Sequence, residues 1–269
     1  MTYDIGIFDS GLGGLTVYKK LKNRFPHFSF AYLADSERNP YGIKTDDEIK
    51  KICSSNLDFF LELKVKSVVI ACHTASVVAF DQLKTLYSIP ITPMHHATAQ
   101  MLLKLPFGST VLILGTQSTV KNGFYAKVLD EYRKDIGVKS IACPLLVEYI
   151  QNQIHDEDML GSILDFYGIP NFRCDYILLA CTHFPFIKTH LRKKISSLTQ
   201  IIDPAESIML NLELSSKSEH PVLKEDHFFV HGSVEEFNQF TNSALNFPIK
   251  SSRVDLKSMP TFSIDAANP

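Results

Sequence analysis

The sequence predicts an α/β protein built from two related halves with mostly parallel sheets. Two observations carry that expectation: short apolar runs alternate with longer amphipathic stretches, and one strand-like motif occurs twice. The runs at 5–8, 30–33, 67–71, 111–114 and 176–180 have the length and bounded character of buried strands. The stretch 46–64 spaces Ile49, Ile52, Leu57, Phe60 and Leu61 among charges and reads as a helix. Strand alternating with helix argues for parallel sheets, whose ligands bind beyond the carboxyl ends of the strands. The residues with chemistry should then follow apolar runs directly.

The repeat is Ser67-Val68-Val69-Ile70-Ala71-Cys72-His73-Thr74 against Tyr176-Ile177-Leu178-Leu179-Ala180-Cys181-Thr182-His183. Each is an apolar strand ending in Ala-Cys, followed by His and Thr in either order. Ile5-Gly6-Ile7-Phe8-Asp9 matches Leu112-Ile113-Leu114-Gly115-Thr116 at nearly the same offset. Two matches at nearly one spacing point to duplication, although any two buried strands share an apolar pattern. The segment 210–269, with Ser-Ser-Lys-Ser at 215–218, is more polar and reads as a helix or two closing back onto one half.

Composition narrows the partners. Hydrophobic residues make up 45% and charged residues 21%, enough apolar mass for a core in a soluble chain. The formal net charge of −2 leaves no bulk field to attract nucleic acid or anionic lipid. No run approaches the ~18 apolar residues of a membrane span. The opening residues lack a signal peptide's basic and apolar regions, so a cytoplasmic location is expected, where thiols stay reduced. Five widely spaced cysteines without a CxxC pair favour neither a disulfide framework nor a zinc ribbon.

Asp9-Ser10-Gly11-Leu12-Gly13-Gly14-Leu15-Thr16 follows the first strand. Its glycines let backbone approach a ligand, but the motif is not GxGxxG. Asp9 suits a catalytic base or an ammonium partner, and equally a helix cap. Pro40-Tyr41-Gly42 can present amides and a Tyr hydroxyl, or be an ordinary turn. Cys72 and Cys181 end predicted strands ahead of expected helices, a position that lowers a thiol's pKa from about 8.5. His183 stands close enough in sequence to share the Cys181 proton. A lone buried cysteine is usually packing, but two at matching strand ends suggest paired chemistry. Inverting a stereocentre by proton transfer needs a base on one face and an acid on the other. A zinc site of Cys72, His73, Cys181 and His183 is the metal alternative, disfavoured because adjacent residues cannot easily reach one ion. His95-His96 reads as a loop or connecting pair. Cys143 ends a strand without a partner, and Cys53 and Cys174 read as packing.

These residues resemble the glutamate racemases of the aspartate/glutamate racemase family. The resemblance lies in Phe8-Asp9-Ser10-Gly11-Leu12-Gly13-Gly14-Leu15-Thr16-Val17, Asp35-Ser36-Glu37-Arg38-Asn39-Pro40-Tyr41-Gly42, Ala71-Cys72-His73-Thr74-Ala75-Ser76 and Ala180-Cys181-Thr182-His183-Phe184-Pro185. Gly115-Thr116-Gln117-Ser118-Thr119-Val120 and Cys143-Pro144-Leu145-Leu146-Val147 match as well, in order over about residues 4–208.

The resemblance implies two pseudo-symmetric Rossmann-like domains, with the active site in the cleft between them. The expected division is 1–95 plus 208–269, and 96–207. It implies interconversion of L- and D-glutamate for peptidoglycan synthesis, without pyridoxal phosphate or metal. Cys72 and Cys181 would be the acid/base thiols, tuned by Asp9 and His183. Substrate contacts would come from Asp9, Ser10, Tyr41, Gly42, His73, Thr74, Thr182 and His183, with Thr116 and Thr119 lining the site. The expected partner is a small amino acid, not nucleic acid or membrane, and pairing as a homodimer stays open. Three segments depart from the family pattern: His73 replaces the usual Asn, Gln151 falls where a Glu is usual, and Thr92-Pro93-Met94-His95-His96 differs from a Gly- and Glu-containing stretch. These departures keep two alternatives in view: a racemase for aspartate or another acidic amino acid, and a catalytically weakened binding homologue.

Overall fold

A computed structural model describes residues 2–152, 154–208, 225–245 and 249–256. Six parallel strands form one sheet: β1 (Ile5–Asp9), β2 (Phe30–Ala34), β3 (Ser67–Ile70), β4 (Ile91–Pro93), β9 (His227–Val230) and β10 (Ser251–Arg253), in the order β10-β9-β2-β1-β3-β4. Four more form a second parallel sheet: β5 (Thr110–Gly115), β6 (Gly137–Ala142), β7 (Tyr176–Ala180) and β8 (Gln200–Ile202), in the order β6-β5-β7-β8. The order β2-β1-β3-β4 in the first sheet thus recurs in the second. The strands matched in sequence, β1 with β5 and β3 with β7, hold equivalent places. In both sheets the strand ending in Ala-Cys is a direct neighbour of the strand that opens the half.

Burial on both faces explains the continuous apolar runs. Every residue of β1 and β2 is buried, as expected where helices cover both sides of a parallel sheet. On one side, α2 (Asp46–Glu62) and α3 (His73–Leu86) join the core around Phe8, Leu33, Val68 and Ile70. On the other, α1 (Leu15–Arg24) and α10 (Val234–Leu245) pack with Ile7, Tyr32, Val69 and Phe228. Helix α2 begins at Thr45, whose hydroxyl accepts from Glu48 N while the Glu48 carboxylate accepts from Thr45 N at 2.8 Å, a reciprocal cap. Its stripe Ile49, Cys53, Leu57 and Phe60 is buried; each large apolar member stabilises the fold by roughly 1.5–3 kcal/mol.

The second sheet is flanked by α4 (Met94–Leu103), α6 (Phe124–Tyr132), α7 (Pro144–Gln151), α8 (Glu157–Phe166) and α9 (Lys188–Lys194). The short α5 (Gln117–Asn122) is capped by Thr116, which accepts from Thr119 N at 3.2 Å. Two expectations change. The region read as one or two closing helices contains parallel strands β9 and β10, joined through α10, that extend the first sheet; their short, half-polar sequences hid them. His95-His96 lies in the first turn of α4, not in a loop, with His95 buried and His96 exposed. Ser215–Ser218 lies outside the described residues. Among the described residues no helix is long and apolar enough to cross a membrane.

Candidate active site

The carboxyl ends of both sheets open onto one cavity of about 230 Å³. Ser10 follows β1, Cys72-His73-Thr74 follow β3, Thr116 follows β5, and Cys181-Thr182-His183 follow β7; all line it. Residues 39–43 form one wall, and Pro144, Val147, Glu148 and Gln151 of α7 form another. The volume is below the ~300–1,000 Å³ typical of drug-sized ligands, so a small metabolite fits. The side chain of Asn39 donates to Gln151 Oε1 at 2.8 Å, tying the two walls together.

Close approach of the two halves demands small residues at the seam. A Cβ on Gly13 would stand 2.8 Å from His183 Nδ1, and one on Gly42 would stand 2.7 Å from Thr116 Cβ. The glycine-rich turn therefore makes room for Thr182-His183 of the other half. Asp9 is fully buried behind this turn. One of its oxygens accepts from Thr182 Oγ1 at 3.0 Å and the other from Gly11 N at 3.1 Å. Burial pushes its carboxyl up to about 6, against hydrogen bonds from Gly14, Thr182, Gly11 and Ser10 that hold it down.

Cys72 is the N-cap of α3, with Sγ 3.7 Å from Ser10 Oγ. Cys181 precedes a 3-10 turn (Phe184–Ile187) rather than an α-helix, and its Sγ lies 3.9 Å from His183 Nδ1. The expected lowering of the thiols is reversed. Burial and then the Asp9 charge push Cys72 up to about 12, although the Ala75 N–H favours its thiolate. Burial also raises Cys181, against the His183 N–H, with Cys72 and Asp9 adding to the rise. Desolvation outweighs the local amides, so burial favours the thiol form of both. Burial lowers His183 to about 4 and His73 to about 3, so both rings are neutral. The Nε2 of His183 is buried and has no hydrogen-bond partner among the described residues.

The remaining expected residues divide between the cavity surface and its support. Thr74 Oγ1 lies 2.8 Å from Thr116 Oγ1 and 3.2 Å from Thr119 Oγ1, joining hydroxyls across the seam. Thr119 and Asp9, expected at the site itself, are not among the lining residues; both stand behind the wall, bonded to Thr74 and Thr182, which do line it. Tyr41 and Gly42 line the cavity, but the Tyr41 hydroxyl turns away. It donates to Asp35 and accepts from Asn56 Nδ2 at 3.2 Å. Asp35 also accepts from Arg38 Nε at 2.8 Å and pairs with His231 Nδ1 at 2.7 Å. Burial works against the Asp35 charge, but His231, Arg38 and Tyr41 hold its carboxyl below the usual range. Sequence reading missed His231, which enters from the end of β9 and has no motif to mark it. It also missed Tyr125 of α6, whose hydroxyl lies 2.7 Å from His73 Nδ1. Cys53 and Cys143 are buried in the core, and Cys174 is half-buried. Among the described residues no group of three or more His, Cys, Asp or Glu is arranged to hold a metal ion.

The family model for Asp/Glu/Hydantoin racemases matches residues 5–210, which include strands β1–β8 and all four strand ends above. A glutamate racemase of Prochlorococcus marinus is 34% identical over 253 residues, covering 91% of this chain and 94% of that protein. A crystal structure of a glutamate racemase from Bacillus anthracis superposes with a TM-score of 0.86 at 28% identity, covering 94% of this chain and 98% of the other. The glutamate racemase of Francisella tularensis, solved in complex with D-glutamate, superposes with a TM-score of 0.84 at 27% identity, covering 96% and 99%. Matched by the family model over most of its length and 34% identical to a glutamate racemase over 91% of its residues, the chain belongs to the Asp/Glu/Hydantoin racemase family.

Proposed function

We propose that this racemase interconverts L- and D-glutamate by proton transfer between Cys72 and Cys181. One observation carries the reading: two thiols at equivalent ends of β3 and β7 line the same small cavity from different sheets. A substrate held between them exposes one face of its α-carbon to each. One sulfur removes the α-proton as thiolate while the other delivers a proton as thiol, and the reverse reaction exchanges the roles. The α-ammonium of an entering amino acid brings a positive charge that offsets burial and favours a thiolate. In this reading His183 takes the Cys181 proton, and the Asp9 carboxylate, ionised above about pH 6, assists on the Cys72 side. Ser10, Thr74 and Thr116 supply neutral hydroxyls, the Thr182 hydroxyl is committed to Asp9 and leaves its main chain to the substrate, and Tyr41-Gly42 supply shape and backbone. The names of the relatives support glutamate as the substrate.

We further read the two sheets as the cores of two domains, 1–95 plus 208–269 and 96–207, acting in the cytoplasm to supply D-glutamate for peptidoglycan. The test is solvent-deuterium exchange. In deuterated buffer, L- and D-glutamate should each lose their α-proton signal while optical activity decays. Cys72→Ser and Cys181→Ser should each slow racemisation by about 10²–10⁴-fold, the usual contribution of a positioned acid or base. Exchange of aspartate without glutamate would overturn the substrate. Near wild-type turnover in either serine variant would overturn the two-thiol mechanism.

A further inference from the structure

We propose that Tyr125 is a positioning residue that fixes His73 in one neutral tautomer, making its Nε2 an N–H donor to a carboxylate of the substrate. The proposal deepens the glutamate racemase reading and rests on it. His73 opens α3 directly after Cys72 and lines the cavity. Its Nδ1 is 2.7 Å from the hydroxyl of Tyr125, a residue whose ring packs with Val111, Ile113 and Leu129 beside the other sheet. That separation is shorter than the ~2.9–3.0 Å of a typical N–H···O bond and suits an O–H donor. The Thr98 hydroxyl is also near the phenol, but an imidazole nitrogen is the stronger proton acceptor. Burial keeps Tyr125 protonated and His73 uncharged. The phenol proton then occupies the Nδ1 lone pair, and the imidazole's own proton must sit on Nε2.

The cavity's composition makes that choice consequential. Among the described residues that line it there is no lysine or arginine. A dicarboxylate must therefore be held by neutral donors, each effective only if it presents hydrogen. The Nε2–H tautomer attracts a carboxylate; the Nδ1–H tautomer would turn a lone pair toward it. The bond runs between elements flanking different sheets, so the donor is set only when the two halves meet.

The test is a double-mutant cycle with a spectroscopic readout. Long-range ¹H–¹⁵N spectra of histidine-labelled protein should report an Nε2–H tautomer for His73, lost or mixed in Tyr125→Phe. Tyr125→Phe should raise KM for glutamate about tenfold with kcat within about threefold, as expected for a bond made equally in ground and transition states. His73→Asn supplies an amide N–H that needs no tautomer, so adding Tyr125→Phe in that background should leave KM unchanged. A His73 protonated on Nδ1, or an equal KM rise in both backgrounds, would overturn the proposal. Absence of glutamate exchange in the wild type would defeat the glutamate reading separately, and the tautomer spectrum would still decide the role of Tyr125.

Discussion

Asp9 shows how much one residue's meaning depends on its surroundings. As a carboxylate after a strand it fits a cap, a base or an ammonium partner. Its burial behind the Gly11–Gly14 turn, with donors on both oxygens, leaves a carboxyl near pKa 6 beside two thiols. Because its native pKa exceeds the unfolded 3.8, the folded state holds more protons between about pH 4 and 6. Asp9 therefore favours folding below that window and opposes it increasingly as pH rises through it. Asp9→Asn should flatten this contribution and reduce racemisation by about 10²-fold or more through loss of the ionisable group. Urea midpoints at pH 4.5 and 7, measured beside the rate, check both; unchanged turnover would remove Asp9 from the mechanism.

At the scale of elements, the loop 36–43 is held in place by partners outside itself. Asp35, at 0% exposure, gathers Arg38, Tyr41 and His231, at 1%, around one carboxylate. His231 belongs to the return of the chain after β9, so that return braces the cavity wall. Asp35→Asn should cost about 3–5 kcal/mol, the range for breaking a buried charge pair, and should raise KM as residues 39–43 loosen. Chemical denaturation and steady-state kinetics measure the two effects. Gly42 tests the seam from the other side. A Cβ there meets Thr116, so Gly42→Ala should reduce kcat/KM by about 10–100-fold through misplacement of the wall, with little loss of stability. Retained kcat/KM would mean that the wall adapts.

Across the whole molecule, buried neutral histidines set the response to acid. His73 and His95 are held near 3 and His183 near 4 by burial, against an ordinary value of 6.5. The unfolded chain binds protons on these residues from about pH 6.5 downward, whereas the native state does so only near pH 3–4. Stability should therefore fall as pH drops from about 6.5 to about 4. Asp9 pulls the other way over part of that range, but three groups outweigh one. Denaturant midpoints across this range should decline with acid, and His73→Asn should make the decline shallower. A flat profile would mean that the histidines are solvated in the native state.

The sequence by itself determined the parallel α/β class, the strands carrying the site, helix α2 and the pairing of Cys72 with Cys181. These are recorded in local periodicity and in a motif that repeats, so no tertiary contact is needed to read them. Strands β9 and β10 were not legible, because their few half-polar residues acquire strand geometry only by joining an existing sheet edge. Only the tertiary structure decided what surrounds each thiol. Burial turned the expected activated cysteines into neutral thiols, since desolvation depends on atoms brought from many elements. It likewise turned Tyr41's hydroxyl away from the cavity and brought His231 to Asp35 and Tyr125 to His73. The paired thiols are thus written in the chain, while their protonation and the partners of their neighbours belong to the fold.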